Sequence, residues 1–143
     1  MPDEFYWHGN QPPLHTVYMF HAVDDYDALA GWVDRIRVAH YDGTPAGLPG
    51  NDDGGTLSAW YLFSAIGVFP IAGDPRYALG TPVFTRVEID LASGETFEVR
   101  APGAKPGVRG VEQVSRDGAA IEGGYILHED LISAPLEFTM KPL

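Results

Sequence analysis

The spacing of hydrophobic and polar positions changes partway along the chain. As far as about Phe69, apolar residues recur at helical intervals; beyond it they alternate in short runs broken by Gly and Pro. Pro12 and Pro13 suit the start of a short helix through His15, Tyr18 and Met19, because a first-turn proline loses no intrahelical bond. Asp24 or Asp25 is placed to cap a second helix. There Tyr26, Leu29, Ala30, Val33, Ile36 and Arg37 recur at helical spacing before Asp42-Gly43-Thr44-Pro45 ends it. A third helix is expected after Asn51-Asp52-Asp53-Gly54-Gly55, capped by Asp53 or Thr56 and ending near Gly67. Leu57, Ala59, Trp60, Tyr61, Leu62, Phe63, Ala65 and Ile66 leave this helix almost no polar face, as in a helix enclosed by others. Two further helices and a small sheet are too little to surround it, so the pattern points to a fragment of a larger helical body.

The second half reads as β structure. Between Val83 and Leu91 the odd positions Val83, Thr85, Val87, Ile89 and Leu91 alternate with Phe84, Arg86, Glu88 and Asp90, the period of a half-buried strand. Ala92-Ser93-Gly94-Glu95 turns it into Thr96 to Arg100, with Phe97 and Val99 facing inward. A second hairpin is expected from Val111 to Ser115, through Asp117-Gly118, into Ala119 to Ile121, since Asp-Gly favours a two-residue type I′ turn. Leu136, Phe138 and Met140 are expected to close the sheet, and Gly103 to Gly110 is the most loop-like stretch. The expected fold class is therefore α+β, helical over residues 1–70 and β-rich over residues 71–143.

With 143 residues, 45% of them hydrophobic, one packed domain is within reach. The net charge of -11 repels phosphate backbones and anionic lipid, which argues against nucleic acid and membrane surfaces as partners. An acidic surface suits a neutral sugar or a cation. The chain has no cysteine, so a metal must be held by oxygen or imidazole. Met1 to Asn10 lacks the charged and apolar regions of a signal peptide, and no apolar run is long enough to span a bilayer.

Two stretches carry candidate chemistry. Gly47-Leu48-Pro49-Gly50-Asn51-Asp52-Asp53-Gly54-Gly55 packs two carboxylates and an amide between glycines just before a buried helix, whose N-terminus offers donors to a substrate oxygen or a water. The same residues are also ordinary turn and capping chemistry, and their spacing does not match the twelve-residue calcium loop. Tyr6-Trp7-His8-Gly9-Asn10-Gln11-Pro12 clusters aromatic rings that can stack on sugar faces with amides that can present oxygen to a hard cation; a packed aromatic loop is the plainer alternative. His8, His15, His21 and His40 lack the pairing of a zinc site, and His128-Glu129-Asp130 reads as a capped turn rather than an acid–base set. No nucleophile elbow, phosphate-binding loop or dinucleotide fingerprint is present.

Taken in order, Tyr6 to Pro12, Gly47 to Asp53, Ser58-Ala59-Trp60-Tyr61-Leu62-Phe63-Ser64-Ala65-Ile66-Gly67 with Phe69-Pro70, Gly80 to Phe84 and Tyr125 to Asp130 resemble the closing segments of family 92 glycoside hydrolases, the α-mannosidases. The resemblance covers nearly the whole chain, and Gly-Asn-Asp-Asp and Ser-Ala-Trp-Tyr are its most specific pieces. It implies the last helices of an (α/α)6 barrel followed by a small antiparallel β-sheet or sandwich portion, the end of a calcium-dependent, inverting exo-α-mannosidase that removes terminal mannose from glycans. Inversion uses an acid and a base roughly 6.5–9.5 Å apart. The resemblance implies Asp53 as base, Asp52 as its orienting neighbour, and Trp7, His8 and Asn51 as substrate-binding residues. It also implies Asn10 and Gln11 as Ca2+ ligands. The family's acid, a glutamate from an upstream segment, matches nothing here, Glu4 included.

Where many relatives carry an acid, this chain has Asn51, and Leu14 precedes a single His15 where the family shows paired histidines. The first bears on how Asn51, Asp52 and Asp53 share their work, the second on the local pocket and substrate preference. The partners implied are α-mannoside glycans and the remainder of the parent enzyme, with self-association of the isolated chain, inactivity of that chain, and a secreted or periplasmic bacterial location. The competing expectation is a non-catalytic carbohydrate-binding or assembly module in which Trp7 or Tyr6 stacks on sugar.

Overall fold

The computed structural model describes residues 6–107 and 110–142. Glu4 and residues 108–109 of the Gly103–Gly110 loop therefore lie outside the described residues. The chain begins with a 3-10 helix, Thr16–Val23, followed by α1 (Tyr26–His40) and α2 (Thr56–Ile66). Then come β1 (Val68–Pro70), β2 (Arg76–Leu79), β3 (Arg86–Asp90), β4 (Thr96–Arg100), β5 (Val111–Arg116), β6 (Ala119–Ala120), β7 (Tyr125–Leu127), α3 (His128–Ser133) and β8 (Leu136–Met140).

The helix expected from Pro12 is displaced. Leu14 N–H donates to Gln11, Thr16 to Pro13 and Tyr18 to His15, a three-residue spacing that gives turns and then a 3-10 helix. Two adjacent prolines remove two backbone donors where an α-helix would be established. Asp24 ends this helix at φ 54°, and Asp25 caps α1, its carboxylate accepting from Ala28 N–H at 2.9 Å.

The first turn of α2 corrects the expected cap. Gly55 occupies the cap position, and neither Asp53 nor Thr56 supplies a side-chain cap to the helix. Asp52 does so instead: its carbonyl accepts from Leu57 N–H at 3.3 Å and its Oδ1 from Ser58 N–H at 2.9 Å. Asp52 reaches two donors because Asp53, Gly54 and Gly55 all have positive φ and fold the chain back over the helix end. At the other terminus Gly67, at φ 98°, donates to the Phe63 carbonyl, Arg37 Nη1 reaches the Ser64 carbonyl at 2.7 Å, and Val83 N–H reaches that of Ala65 at 2.9 Å. α2 buries Leu57, Trp60, Ser64, Ala65 and Ile66 but leaves Leu62 58% exposed and Tyr61 exposed beside it.

Two sheets follow. The smaller has the order β1-β2-β7, and the larger β3-β4-β8-β5-β6. Both expected hairpins are present: β3 pairs with β4 from Arg86–Arg100 to Asp90–Thr96, and β5 meets β6 around Asp117 and Gly118, which have φ of 49° and 77°. Phe97 and Val99 are buried as expected, whereas the strand expected from Val83 begins only at Arg86 and forms an edge, so Ile89 is exposed. The expectation of a purely antiparallel sheet needs correction. β8 runs parallel to β4 and antiparallel to β5, so Leu136 and Phe138 sit in the middle of the sheet instead of closing it. The long connection between β4 and β8 permits the parallel pairing, which a tight hairpin cannot make.

The buried residues form two clusters. Leu14, Val17, Tyr18, Leu29, Val33, Ile36, Leu57 and Trp60 pack among the helices, with Ala78 of β2. Val68, Leu79, Phe97, Val99, Ile126, Leu131, Leu136 and Phe138 pack among the sheets, with Ile66 of α2. Arg37 joins them, donating also to the Thr81 carbonyl at 3.1 Å and lying 3.8 Å from Asp34. We expect Arg37→Leu to lower the unfolding free energy by about 2–4 kcal/mol, because two buried carbonyls lose their donor. Arg35→Leu, on the open side of α1, should cost no more than about 1 kcal/mol; denaturant midpoints of the two variants provide the comparison.

Candidate functional site

The aromatic loop is anchored through His8. Its side chain is fully buried, with Nδ1 2.7 Å from the Tyr6 hydroxyl and Nε2 2.8 Å from that of Tyr41. Tyr41 in turn donates to the Leu57 carbonyl at 3.1 Å. Trp60 lies edge-on to the imidazole, with centroids 4.2 Å apart, and stacks on Tyr41; its indole N–H donates to the Leu14 carbonyl at 2.8 Å. Burial, aided by the nearby His40, pushes the His8 pKa down to about 3, so the ring is neutral at physiological pH.

The loop before α2 lies directly against this one. A Cβ on Gly9 would overlap the Pro49 carbonyl and the Trp7 indole, so glycine is needed there for close backbone approach. The contact brings the amides of one loop to the carboxylates of the other. Gln11 Nε2 donates to Asp53 Oδ2 at 2.5 Å, while Asn10 Oδ1 accepts from Gln11 N–H at 3.0 Å. Asp53 is exposed, at φ 49°, and its carbonyl accepts from the Thr56 hydroxyl at 2.8 Å. The left-handed Asp53 carries the strain of this turn, and the two glycines after it take positive φ at no steric cost. Here the turn directs one carboxylate inward, onto the helix, and leaves the next facing out.

The sequence-derived candidates therefore separate by position. Asn10, Gln11, Asn51 and Asp53 are exposed around the junction of the loops, and Trp7 presents 44% of its surface while meeting His40 edge-on at 6.1 Å. Asp52 is half-buried, committed to the helix end. His8 was expected on the pocket wall; in this chain its ring is fully buried, with both nitrogens engaged by tyrosine hydroxyls. Tyr41 escaped the sequence reading, because a tyrosine ending a helix carries no pattern of its own. His128 meets the Tyr77 hydroxyl at 3.2 Å and Asp130 pairs with Arg116 at 2.7 Å, which divides that triplet between two structural contacts.

The chemistry this arrangement offers is oxygen-based. Two side-chain amides adjoin an accessible carboxylate that can accept a proton from water, and a large aromatic ring stands nearby. No group of three or more His, Cys, Asp or Glu residues that could hold a metal occurs among the described residues. The donors match a hard cation in kind, but a Ca2+ ion takes six to eight oxygens, as a rule, so backbone, water or other segments must complete the set.

Comparison with known proteins supplies the relationship. The sequence model of the glycosyl hydrolase family 92 catalytic domain matches residues 1–142. A family GH92 alpha-mannosidase from Bacteroides thetaiotaomicron, solved in complex with mannoimidazole, superimposes with a TM-score of 0.88 at 30% identity, over 95% of this chain and 18% of that one. A family GH92 inverting mannosidase from Bacteroides thetaiotaomicron VPI-5482 gives 0.85 at 29% identity, over 96% and 19%. A protein of Arthroderma benhamiae described as an uncharacterized secreted glycosidase is 29% identical over 93 residues, which are 64% of this chain and 12% of that protein. The chain thus spans less than a fifth of the length of these relatives.

Buried neutral histidines make a testable pH signature. Burial lowers the pKa of His8, His21 and His40 below the ordinary 6.5, so the unfolded chain binds their protons more readily. Their contribution is complete above pH 6.5 and lost as pH falls toward the folded values. Asp42, Asp74 and Glu98, whose pKa values hydrogen bonds lower, begin to withdraw stability only nearer pH 4. The denaturant midpoint should therefore drop between pH 7 and pH 5, and drop less in His8→Gln; an equal drop in both would assign the effect to other groups.

Proposed function

The chain belongs to glycosyl hydrolase family 92, and from that premise we propose that it is the C-terminal part of a calcium-dependent inverting exo-α-mannosidase, α-1,2-mannosidase-like, acting on terminal mannose of glycans. The observation that carries this reading is the Gln11–Asp53 contact, which brings a candidate ligand loop and a candidate base to one point from opposite ends of the helical segment. Similar proteins support the chemistry: one is described as an alpha-mannosidase solved with mannoimidazole, and another as an inverting mannosidase. The likeness to a secreted fungal glycosidase supports action outside the cell, and no helix among the described residues is long and apolar enough to cross a membrane.

In this reading Asp53 takes the proton of the attacking water. The proton passes to a carboxylate oxygen while the water oxygen bonds to the anomeric carbon. Leaving-group protonation falls to an acid from another segment of the parent. Asp52 holds the first turn of α2, and through it the backbone from which Asp53 projects. Trp7 and Asn51 face substrate, the indole offering a stacking surface for a pyranose ring. Asn10 and Gln11 would hold Ca2+ in part, and the bound ion supplies a Lewis-acidic contact to sugar hydroxyls.

The remainder of the parent enzyme is the partner that the surface requires. Met19, Val23, Val38 and Leu62 are 58%, 71%, 73% and 58% exposed, and a cavity of about 620 Å³ lined by Tyr6, Val17, Met19, Phe20, Trp32 and Ile36 opens between the 3-10 helix and α1. Apolar side chains at this density need a cover; without one the chain self-associates. The test compares this chain with a longer product that carries it. The longer product should release mannose from an α-1,2-linked mannobiose, lose that activity on calcium chelation, and lose at least about a hundredfold in kcat as Asp53→Asn with its fold intact. The isolated chain should release none. Near-normal turnover in the variant would remove Asp53 as base, and glycan binding by a monomeric isolated chain would favour a carbohydrate-binding module instead.

A further inference from the structure

The hydrogen bonds around His8 have a direction. A phenol carries one proton, and Tyr41 directs its own to the Leu57 carbonyl, so the Tyr41 oxygen meets His8 as an acceptor. This assigns the ring proton to His8 Nε2. In a neutral imidazole this leaves Nδ1 as an acceptor, which receives the hydroxyl of Tyr6. The Tyr6 hydroxyl also lies 3.5 Å from the Pro13 carbonyl, but its 2.7 Å contact with Nδ1 and the 3.1 Å bond from Tyr41 to Leu57 favour the order Tyr6 to His8 to Tyr41 to Leu57.

The chain of bonds also closes on itself. Leu57 offers its N–H to the Asp52 carbonyl and receives Tyr41 on its own carbonyl, so the first turn of α2 is gripped from both sides. From Asp52 the backbone runs to Asp53, whose carboxylate accepts Gln11, and from Gln11 the backbone returns to His8. Gly9 lies inside this loop against Pro49, where no side chain fits. At the surface the two loops are joined by the exposed Gln11–Asp53 contact, and beneath it Gly9 packs on the buried Pro49. His8 and Leu57 are the buried part of the closed path, with the half-buried Tyr41 joining them, and so the part able to set its dimensions.

From this geometry we infer that Tyr41 is a positioning residue which, through His8 and the Leu57 carbonyl, holds the Asn10–Gln11 loop in register with the Asp52–Asp53 turn. The inference rests on the reading above, in which those residues form the mannosidase site. In this assignment Tyr41 acts through His8 and the Leu57 carbonyl rather than on substrate. Its effect is on the spacing between the base and the amides, and a displacement of that kind acts on turnover more than on ground-state binding.

The experiment separates this from simple loss of stability. In isotope-labelled protein, the Gln11 side-chain amide and the His8 ring nitrogens are followed by NMR in wild type, Tyr41→Phe and His8→Gln, with the Trp60 indole N–H as the marker of an intact core. Expected are the Nε2–H tautomer in wild type, and in Tyr41→Phe a shifted Gln11 amide with Trp60 unchanged. His8→Gln, which keeps a donor toward Tyr41, should hold the wild-type Gln11 signal; this variant carries the test if Tyr41→Phe fails to fold. In the longer enzyme Tyr41→Phe should lower kcat about tenfold or more with KM within about twofold. An Nδ1–H tautomer, an unmoved Gln11 amide in folded Tyr41→Phe, or a lost Gln11 signal in folded His8→Gln would overturn the proposal. Inactivity of the wild-type longer enzyme would sink the mannosidase reading alone, with the NMR result still deciding whether Tyr41 sets the register.

Discussion

Satisfying the ends of one nearly apolar helix organises this structure. α2 cannot leave its terminal N–H and C=O groups buried and unpaired, since each would cost about 1–3 kcal/mol. The partners come from distant parts of the chain: Asp52 at the start, and Arg37 from α1 and Val83 from beyond β2 at the finish. One requirement thereby fixes α1 against α2, sets the path of the chain into the sheets, and turns the Asn51–Gly55 loop back on itself. The candidate base belongs to that last consequence. Asp53 projects outward because Asp52 is held inward.

Local chemistry made much of this fold legible in the sequence. A cap from Asp24 or Asp25, the helical face of α1, the left-handed Gly67 and both hairpins follow from residue type and spacing alone, and all are present, the cap as Asp25. Long-range requirements were not legible. Nothing in Asn-Asp-Asp-Gly-Gly says which aspartate turns back to the helix, because three successive positive φ values decide it. The alternation of β8 marks it as a strand but cannot distinguish a central strand from a closing one; that depends on its parallel neighbour β4. The sheet formed by β1, β2 and β7 escaped notice because its strands are three or four residues long and lie far apart in the chain.

The candidate site divides in the same way. Motifs carried Asn10, Gln11 and Asp53, which lie at the surface, where packing leaves residue choice free. His8 was visible but misplaced, since a histidine between a tryptophan and a glycine looks the same whether its ring faces a ligand or a buried phenol. Tyr41 gave no signal: its hydroxyl matters through a carbonyl sixteen residues away and a ring thirty-three residues back. Supporting residues of this sort are chosen by geometry, which sequence spacing does not encode.

The unevenness of α2 bears on how the chain is used. Its sequence has almost no polar face, yet the structure buries only one side, and the exposed Tyr61 and Leu62 belong to the helix that also carries Leu57 and Trp60 into the core. Evolution toward an independent domain would replace such positions with polar residues, since nothing in the folded chain rewards keeping them apolar. A covering body does reward it. In the proposed reading the same body also brings the general acid, since the candidate base Asp53 is exposed and inversion uses a second carboxyl across the sugar. On the proposed function, the hydrophobic surface and the missing acid are two expressions of one division: this chain carries the candidate base and its supports, and completion of both core and chemistry lies with what packs against it.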